Sequence, residues 1–155
     1  MQTLILFGAQ YLVALPAVVI VGYIFFLPER AQHKLALIEI ISLPVAYALA
    51  FVVGIFYFDP RPFVVDHTAP LIAYGSYNGF PSGHTLFAAV AAMTMWYFNR
   101  PLGIFLWIIA LLVGISRIAA GLHHGVDIAA SILIAMAVVW IVEKIVTTFV
   151  QSYFT

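Results

Sequence analysis

Apolar residues in this chain run in long blocks instead of alternating with polar ones at a helical or strand period. Five blocks, at 3–27, 35–58, 82–98, 102–120 and 126–150, approach the roughly 20 apolar residues that a membrane-crossing helix needs. The first contains Pro16, which predicts a kink, and the second carries Glu39 near its start and Pro44 inside. The third is short for a span but is flanked by Trp96 and Tyr97, residues suited to the membrane interface. Between the second and third lies a polar connector, 59–81, rich in Pro, Gly, Asn and Tyr. Asn99-Arg100-Pro101 predicts a tight turn, with proline suited to a first helical turn. No repeat and no boundary interrupts the pattern. The expectation is an all-α, polytopic transmembrane bundle of about five spans, forming one domain over 1–155.

Composition strengthens this reading. Hydrophobic residues make up 65% of the chain and charged residues 8%, against about 45–50% and about 25% in soluble domains. The zero net charge offers no electrostatic footprint for nucleic acid. There is no cysteine, which excludes disulfides and thiolate metal sites. The first block lacks a basic leading region and is too long for a signal-peptide core, so it is expected to stay as a membrane helix.

The few charges then sort by side. If the third and fourth blocks form a hairpin, the 59–81 connector and the 121–125 turn share one membrane face. Arg30, Lys34, Arg100 and Lys144 fall on the other face, leaving only Arg61 and Arg117 with the connector. The positive-inside rule makes the Lys/Arg-rich face cytoplasmic, so the connector and the N-terminus are expected outside.

Three polar patches converge on that outer face: Asp59-Pro60-Arg61-Pro62, Pro81-Ser82-Gly83-His84, and Ser116 to Asp127. Ser82 is placed to cap the third helix, and Gly83 allows close backbone approach. A helix N-terminus offers unpaired N–H groups to an anion, with His84 beside it. His123 and Asp127 are four apart, so the carboxylate can hold one ring nitrogen and present the other as nucleophile or base. Arg61, stiffened by two prolines, suits bidentate contact with phosphate oxygens. Blander readings exist for each: an ordinary cap, an arginine–aspartate pair satisfying buried charge, or a snorkelling arginine. Metal binding by His123, His124 and Asp127 is a further alternative, disfavoured by the neighbouring arginines.

These patches resemble the signature of the phosphatidic acid phosphatase type 2 superfamily, which also includes the vanadium haloperoxidases. Arg61-Pro62 matches the end of its first motif. Pro81-Ser82-Gly83-His84 matches the second, and Ser116-Arg117, His123 and Asp127 match the third at the right spacing. The resemblance covers roughly residues 50–140. It departs at one motif position: Gly54 stands where the family has lysine, with His67 a candidate substitute. The family's membrane enzymes also commonly have six helices.

The resemblance implies a metal-independent lipid phosphatase without cofactor. His123 would attack phosphorus to form a phosphohistidine, oriented by Asp127. His84 would protonate the leaving oxygen and later activate water. Arg61, Arg117, Ser82 and Gly83 would bind the phosphate oxygens, and His124 would line the site. Arg61-Pro62-Phe63-Val64 and the compact size look most like bacterial undecaprenyl pyrophosphate phosphatases, although many of those carry Asp at the position of Gly83. Phosphatidylglycerophosphate, phosphatidate and lipid A phosphates are alternative substrates. A lipid phosphotransferase and a non-catalytic anion-binding membrane protein are the alternative functions. The expected partners are a membrane lipid phosphate and the bilayer of the cell membrane.

Overall fold

In the computed structural model, which describes residues 1–153, the chain folds into helices only. They are α1 (Gln2–Gln10), α2 (Ala14–Ile24), α3 (Glu29–Phe56), α4 (Pro62–Val65), α5 (Gly83–Phe98), α6 (Arg100–Ala119) and α7 (Gly125–Tyr153). By length and apolarity α3, α6 and α7 can each cross a membrane, and α1 with α2 can form a fourth, broken span. Helix α5 has 16 residues, about 24 Å of rise, short for a fifth.

Helix α5 is nevertheless the centre of the bundle, packed by α2, α3, α6 and α7. Its sequence explains this. Ala88, Ala89, Ala91 and Ala92 are all buried, and small side chains let neighbouring backbones approach closely where hydrophobic contrast with lipid is weak. Leu86, Val90, Ile38, Ala46, Val138 and Val139 join the main core cluster around it. The large apolar side chains that remain exposed, such as Ile40, Phe51, Ile115 and Ile145, lie on outward faces suited to lipid.

The block at 3–27 is not one bent helix but two, meeting at 50°. Pro16 is the physical cause, acting on the turn before it. It has no N–H to give the Leu12 carbonyl, and its ring crowds that group. The ladder fails there: Leu12 donates back to Phe7, and Leu15 closes a tight bond to Leu12 at 3.1 Å. Other boundaries move outward. Helix α3 begins at Glu29 instead of 35, because Pro28 occupies its N-cap and Lys34 pairs with Glu143 of α7 at 3.1 Å. Helix α6 begins at Arg100 because Asn99 caps it, its Oδ1 accepting from the Leu102 amide at 3.1 Å.

The connector folds back over the C-terminal end of α6. The Phe63 and Leu71 amides donate to the carbonyls of Gly121 (3.3 Å) and Ala120 (3.4 Å). One side chain ties it down. Asn78 Oδ1 accepts from the amides of Asp59 (2.9 Å) and Phe80 (3.0 Å), while its Nδ2 donates to the carbonyls of Gly54 and Tyr57 at 3.0 Å each. Asn78→Ala removes four bonds at once and is expected to cost about 2 kcal/mol or more. A lowered Tm in detergent would report it.

Candidate active site

The site starts with how α6 ends. Gly121 adopts φ +73, a left-handed conformation natural to glycine. The Gly121 amide donates to Ile118 O (2.9 Å) and the Leu122 amide to Arg117 O (3.1 Å), a Schellman stop that reverses the chain. The reversal carries His123 back over Arg117, one turn from the end of α6. Helix α7 then opens with Asp127 in its first turn.

The result is a compact buried cluster. Arg61, Arg117, His123 and Asp127 are 3%, 2%, 3% and 0% exposed. Asp127 Oδ2 lies 3.2 Å from His123 Nδ1. On the other side of the ring, Nε2 faces Arg61 Nη1 at 3.3 Å and Arg117 Nη2 at 3.4 Å. Guanidinium nitrogens only donate, so Nε2 must be the acceptor and Nδ1 must carry the proton that Asp127 receives. This assigned tautomer leaves the Nε2 lone pair turned toward the two cations. Burial lowers the His123 pKa below the ordinary imidazole value; the bond to Asp127 raises it, and the Arg117 and Arg61 charges lower it again. The ring is therefore neutral at physiological pH.

Two guanidinium groups and the Asp127 carboxylate meet at the His123 ring, and a second carboxylate, Asp59, approaches Asp127. Each arginine is only partly satisfied by the protein. Arg61 Nη1 donates to Leu122 O (2.9 Å) and Arg117 Nη1 to Ala9 O (3.1 Å), while both Nε atoms are buried without a partner. Tyr74 covers both guanidinium groups, 4.4 Å from Arg61 and 4.9 Å from Arg117, and Tyr77 lies 5.0 Å from Arg61. Ring faces offset part of a cation's desolvation, but the unused guanidinium donors suit an anion.

The N-terminus of α5 meets this cluster. The Ser82 amide donates to Asp127 O at 3.3 Å, and Ser131 Oγ donates toward both Ser82 O (2.9 Å) and Asp127 O (2.7 Å). Ser82 sits at the N-cap, yet the expected capping bond is absent. Its Oγ instead accepts from Thr85 Oγ1 at 3.2 Å. The first-turn amides of α5 thus keep no side-chain acceptor and face an incoming anion. His84 follows in that turn, in electrostatic contact with Arg117 and His123.

Residues 34–151 match the PAP2 superfamily. The chain belongs to the PAP2 superfamily. It is 30% identical over 141 residues to the undecaprenyl-diphosphatase BcrC of Bacillus subtilis (strain 168), covering 89% of this chain and 71% of that protein. It is 30% identical over 152 residues to the bacitracin transport permease protein BcrC of Bacillus licheniformis, covering 94% and 73%. A phosphatidylglycerophosphatase B of Haemophilus influenzae is 33% identical over 85 residues, covering 47% of this chain and 33% of that one. No solved structure matches the chain. The resemblance read from the three motifs is thereby borne out, and this PAP2 protein is a membrane phosphoric ester hydrolase of the lipid phosphatase type.

Where the PAP2 pattern breaks, the structure supplies a reason. A Cβ at Gly54 would lie 3.1 Å from Phe80 O and 3.8 Å from Asn78 Nδ2, so the connector occupies the exit of any longer side chain. His67 is exposed at the end of α4, with φ 51, and bonds to none of the site residues; it does not stand in for the motif lysine. Gly54→Lys is expected to lower turnover several-fold instead of restoring a cation, because relieving the clash displaces Phe80-Pro81 and with it Ser82–His84. Steady-state kinetics of that variant check this. Gly83 is different: a Cβ there meets only Tyr47, at 3.6 Å, an ordinary contact.

Sequence reasoning missed several participants. Ala9 is apolar, and only the α1–α2 break frees its carbonyl for Arg117. Tyr74 and Tyr77 carried no motif. Tyr47 of α3 donates to Gly83 O at 2.9 Å. His124 has its Nδ1 3.0 Å from Asp59 Oδ2 and its amide donating to Asp127 Oδ2 at 2.8 Å. Asp59, His124 and Asp127 each offer one possible ligand atom, all within 4.8 Å of one another, a different trio from the one weighed on spacing.

Proposed function

We propose that this PAP2 protein hydrolyses a lipid diphosphate, undecaprenyl diphosphate first among the candidates, through a phosphohistidine on His123. The observation that carries the reading is the His123 ring, held by Asp127 on one nitrogen and aimed between two arginines with the other. A phosphoryl group bound there meets Arg61, Arg117 and the α5 N-terminus at Ser82 and Gly83. These donors stabilise the equatorial oxygens where transition-state charge accumulates.

His123 Nε2 attacks phosphorus in line, and the bond to the leaving oxygen breaks on the opposite side. Asp127 keeps the Nδ1 proton in place and offsets the positive charge that develops on the ring. Burial and the charge of Arg117 pull the His84 pKa down to about 4. The bound phosphoryl anion offsets that charge, so His84 takes up a proton as substrate binds. It donates this proton to the leaving oxygen and then takes one from the water that hydrolyses the phosphohistidine. Phosphate departs and both histidines return to their starting state.

The undecaprenyl choice rests on the Bacillus subtilis relative, which covers most of the chain, together with Arg61-Pro62-Phe63-Val64. The Haemophilus relative supports phosphatidylglycerophosphate as the second substrate to test. The distribution of Lys and Arg supports an extracytoplasmic site in the cell membrane with the N-terminus on the same face. The test is phosphate release by purified protein in detergent with EDTA, from both lipids side by side. Faster release from undecaprenyl diphosphate is the expected result; release that EDTA abolishes would overturn the metal-free mechanism. Phosphate appearing on a second lipid instead of in solution would make the protein a phosphotransferase.

A further inference from the structure

The pocket that a phosphoryl group must enter is shut. Arg61, Arg117 and His123 are each 3% exposed or less. Both guanidinium groups rest against His123 Nε2, the nitrogen that would attack, at 3.3 and 3.4 Å. An anion reaches this nitrogen only if something moves aside. The cover over the arginines is aromatic. The Tyr74 ring lies over both cations and packs on the cluster of Ala9, Ala120 and Leu122. Two of these residues lend the arginines their carbonyls. The Tyr77 ring lies over Arg61 alone, its centroid 6.0 Å from that of Tyr74.

The segment that carries these rings is loosely tied. Backbone bonds hold the connector at Leu71, to Ala120 O at 3.4 Å, and again at Gly79, to Asp59 O at 2.8 Å, beside the Asn78 anchor. Among the described residues no hydrogen bond falls on 72–77, and neither tyrosine hydroxyl has a partner in the protein. A stretch with so few bonds opens at small cost. Its rings stay down because their faces attract the two guanidinium charges. A Cβ at Gly75 would run into the Tyr77 ring, so the glycine of Tyr-Gly-Ser-Tyr is what lets the second ring fold down.

We propose that residues 72–77 are a lid over the phosphate pocket, latched shut by the Tyr74 ring and opened by the anion that the pocket binds. The inference rests on the lipid phosphatase reading above and deepens it with a control on access to that site. Ring faces and phosphate oxygens compete for the same two charges. An arriving phosphoryl group takes the in-plane N–H donors and offsets the charge, which weakens the hold on the rings. The guanidinium groups then leave His123 Nε2 for the equatorial oxygens, and the nitrogen faces phosphorus. A protein whose binding-competent state is only fractionally populated binds its ligand more weakly by that fraction. The latch therefore lowers the affinity of the pocket for phosphate, and releasing the latch raises it.

The experiment measures binding of labelled inorganic phosphate to the full chain in detergent by equilibrium dialysis, which needs no turnover. Tyr74→Phe keeps the ring face and should bind within about two-fold of wild type. Tyr74→Leu keeps an apolar contact with Ala9 and Leu122 but has no ring face, and should bind at least about five-fold more tightly. Pentafluorophenylalanine at position 74 keeps the ring but draws negative charge off its face, and should tighten binding in the same direction. Gly75→Ala, which displaces the Tyr77 ring, should tighten it by a smaller factor. A ring that merely supports the arginines or the fold predicts the opposite sign. Equal or weaker binding in both Tyr74→Leu and the fluorinated variant therefore overturns the lid. Lipid hydrolysis in the same preparations keeps the two readings apart. A failed lid with undiminished release from lipid leaves the phosphatase standing, whereas tighter phosphate binding beside a wild type inactive on every lipid overturns the phosphatase and leaves the lid.

Discussion

Replacing His123 with alanine is expected to abolish phosphate release, by about 10⁴-fold or more, as removal of a covalent nucleophile does. The expectation is severe because no other group can take over. Nε2 is the atom that both arginines converge on, 3.3 and 3.4 Å away. The neighbouring His124 presents its Nδ1 to Asp59, away from that point. Alanine at 123 leaves Arg61 and Arg117 bonded to Leu122 O and Ala9 O, so the pocket keeps its shape and its anion affinity. The variant should therefore still bind inorganic phosphate or vanadate while releasing none from the lipid. Acid-quenched wild type, incubated with labelled substrate, should carry phosphate on His123, and the variant should carry none. Substantial turnover by His123→Ala would overturn the phosphohistidine assignment.

The second large effect is expected from Asp127→Asn, a loss on the order of 10³–10⁴-fold in kcat, comparable to removing the orienting carboxylate of a catalytic triad. Aspartate accepts the Nδ1 proton at 3.2 Å and so leaves Nε2 as a lone pair. An asparagine amide can instead donate to Nδ1. That moves the proton to Nε2, where it points at two cations and blocks attack. The pH profile separates this from simple damage. In the wild type, burial and the arginine charges depress the His123 pKa. Its neutral form therefore persists below the ordinary value of about 6.5, and the acid limb of kcat/KM should fall below that pH. Asp127 is the influence that raises the His123 pKa. Removing its charge should shift the acid limb to still lower pH while the plateau drops. A limb that moves to higher pH would contradict the assigned tautomer.

What could be read in advance was whatever depends on residue type and local spacing. Bilayer thickness imposes its own length on apolar runs, so the blocks around α3, α6 and α7 were visible without contacts. A spacing of four places His123 and Asp127 together on any helix start, and their bond follows from geometry that no distant residue alters. Pro-Ser-Gly-His and Ser-Arg-x5-His-x3-Asp are local strings, and the PAP2 match bears out the family they suggested. Pro16 was likewise a legible cause of a break, because its steric effect acts only four residues back.

Long-range placement was decided by the tertiary structure. Arg61 and His123 are 62 positions apart, and their approach depends on Asn78 anchoring the connector to the end of α3. Ala9 enters the site 108 positions from Arg117, through a backbone carbonyl that no residue-type pattern can reveal. The same holds for Tyr74, whose ring covers two arginines from a loop without a motif. The capping role expected of Ser82 failed because Thr85, in the same turn, competed for its oxygen. Gly54 had no local explanation either; only the approach of Phe80, 26 positions further on, shows why a longer side chain is excluded. Local sequence sets which groups can do chemistry, since that depends on their own structure. Packing between distant segments sets which of them meet, because that depends on closing loops whose ends the sequence does not mark.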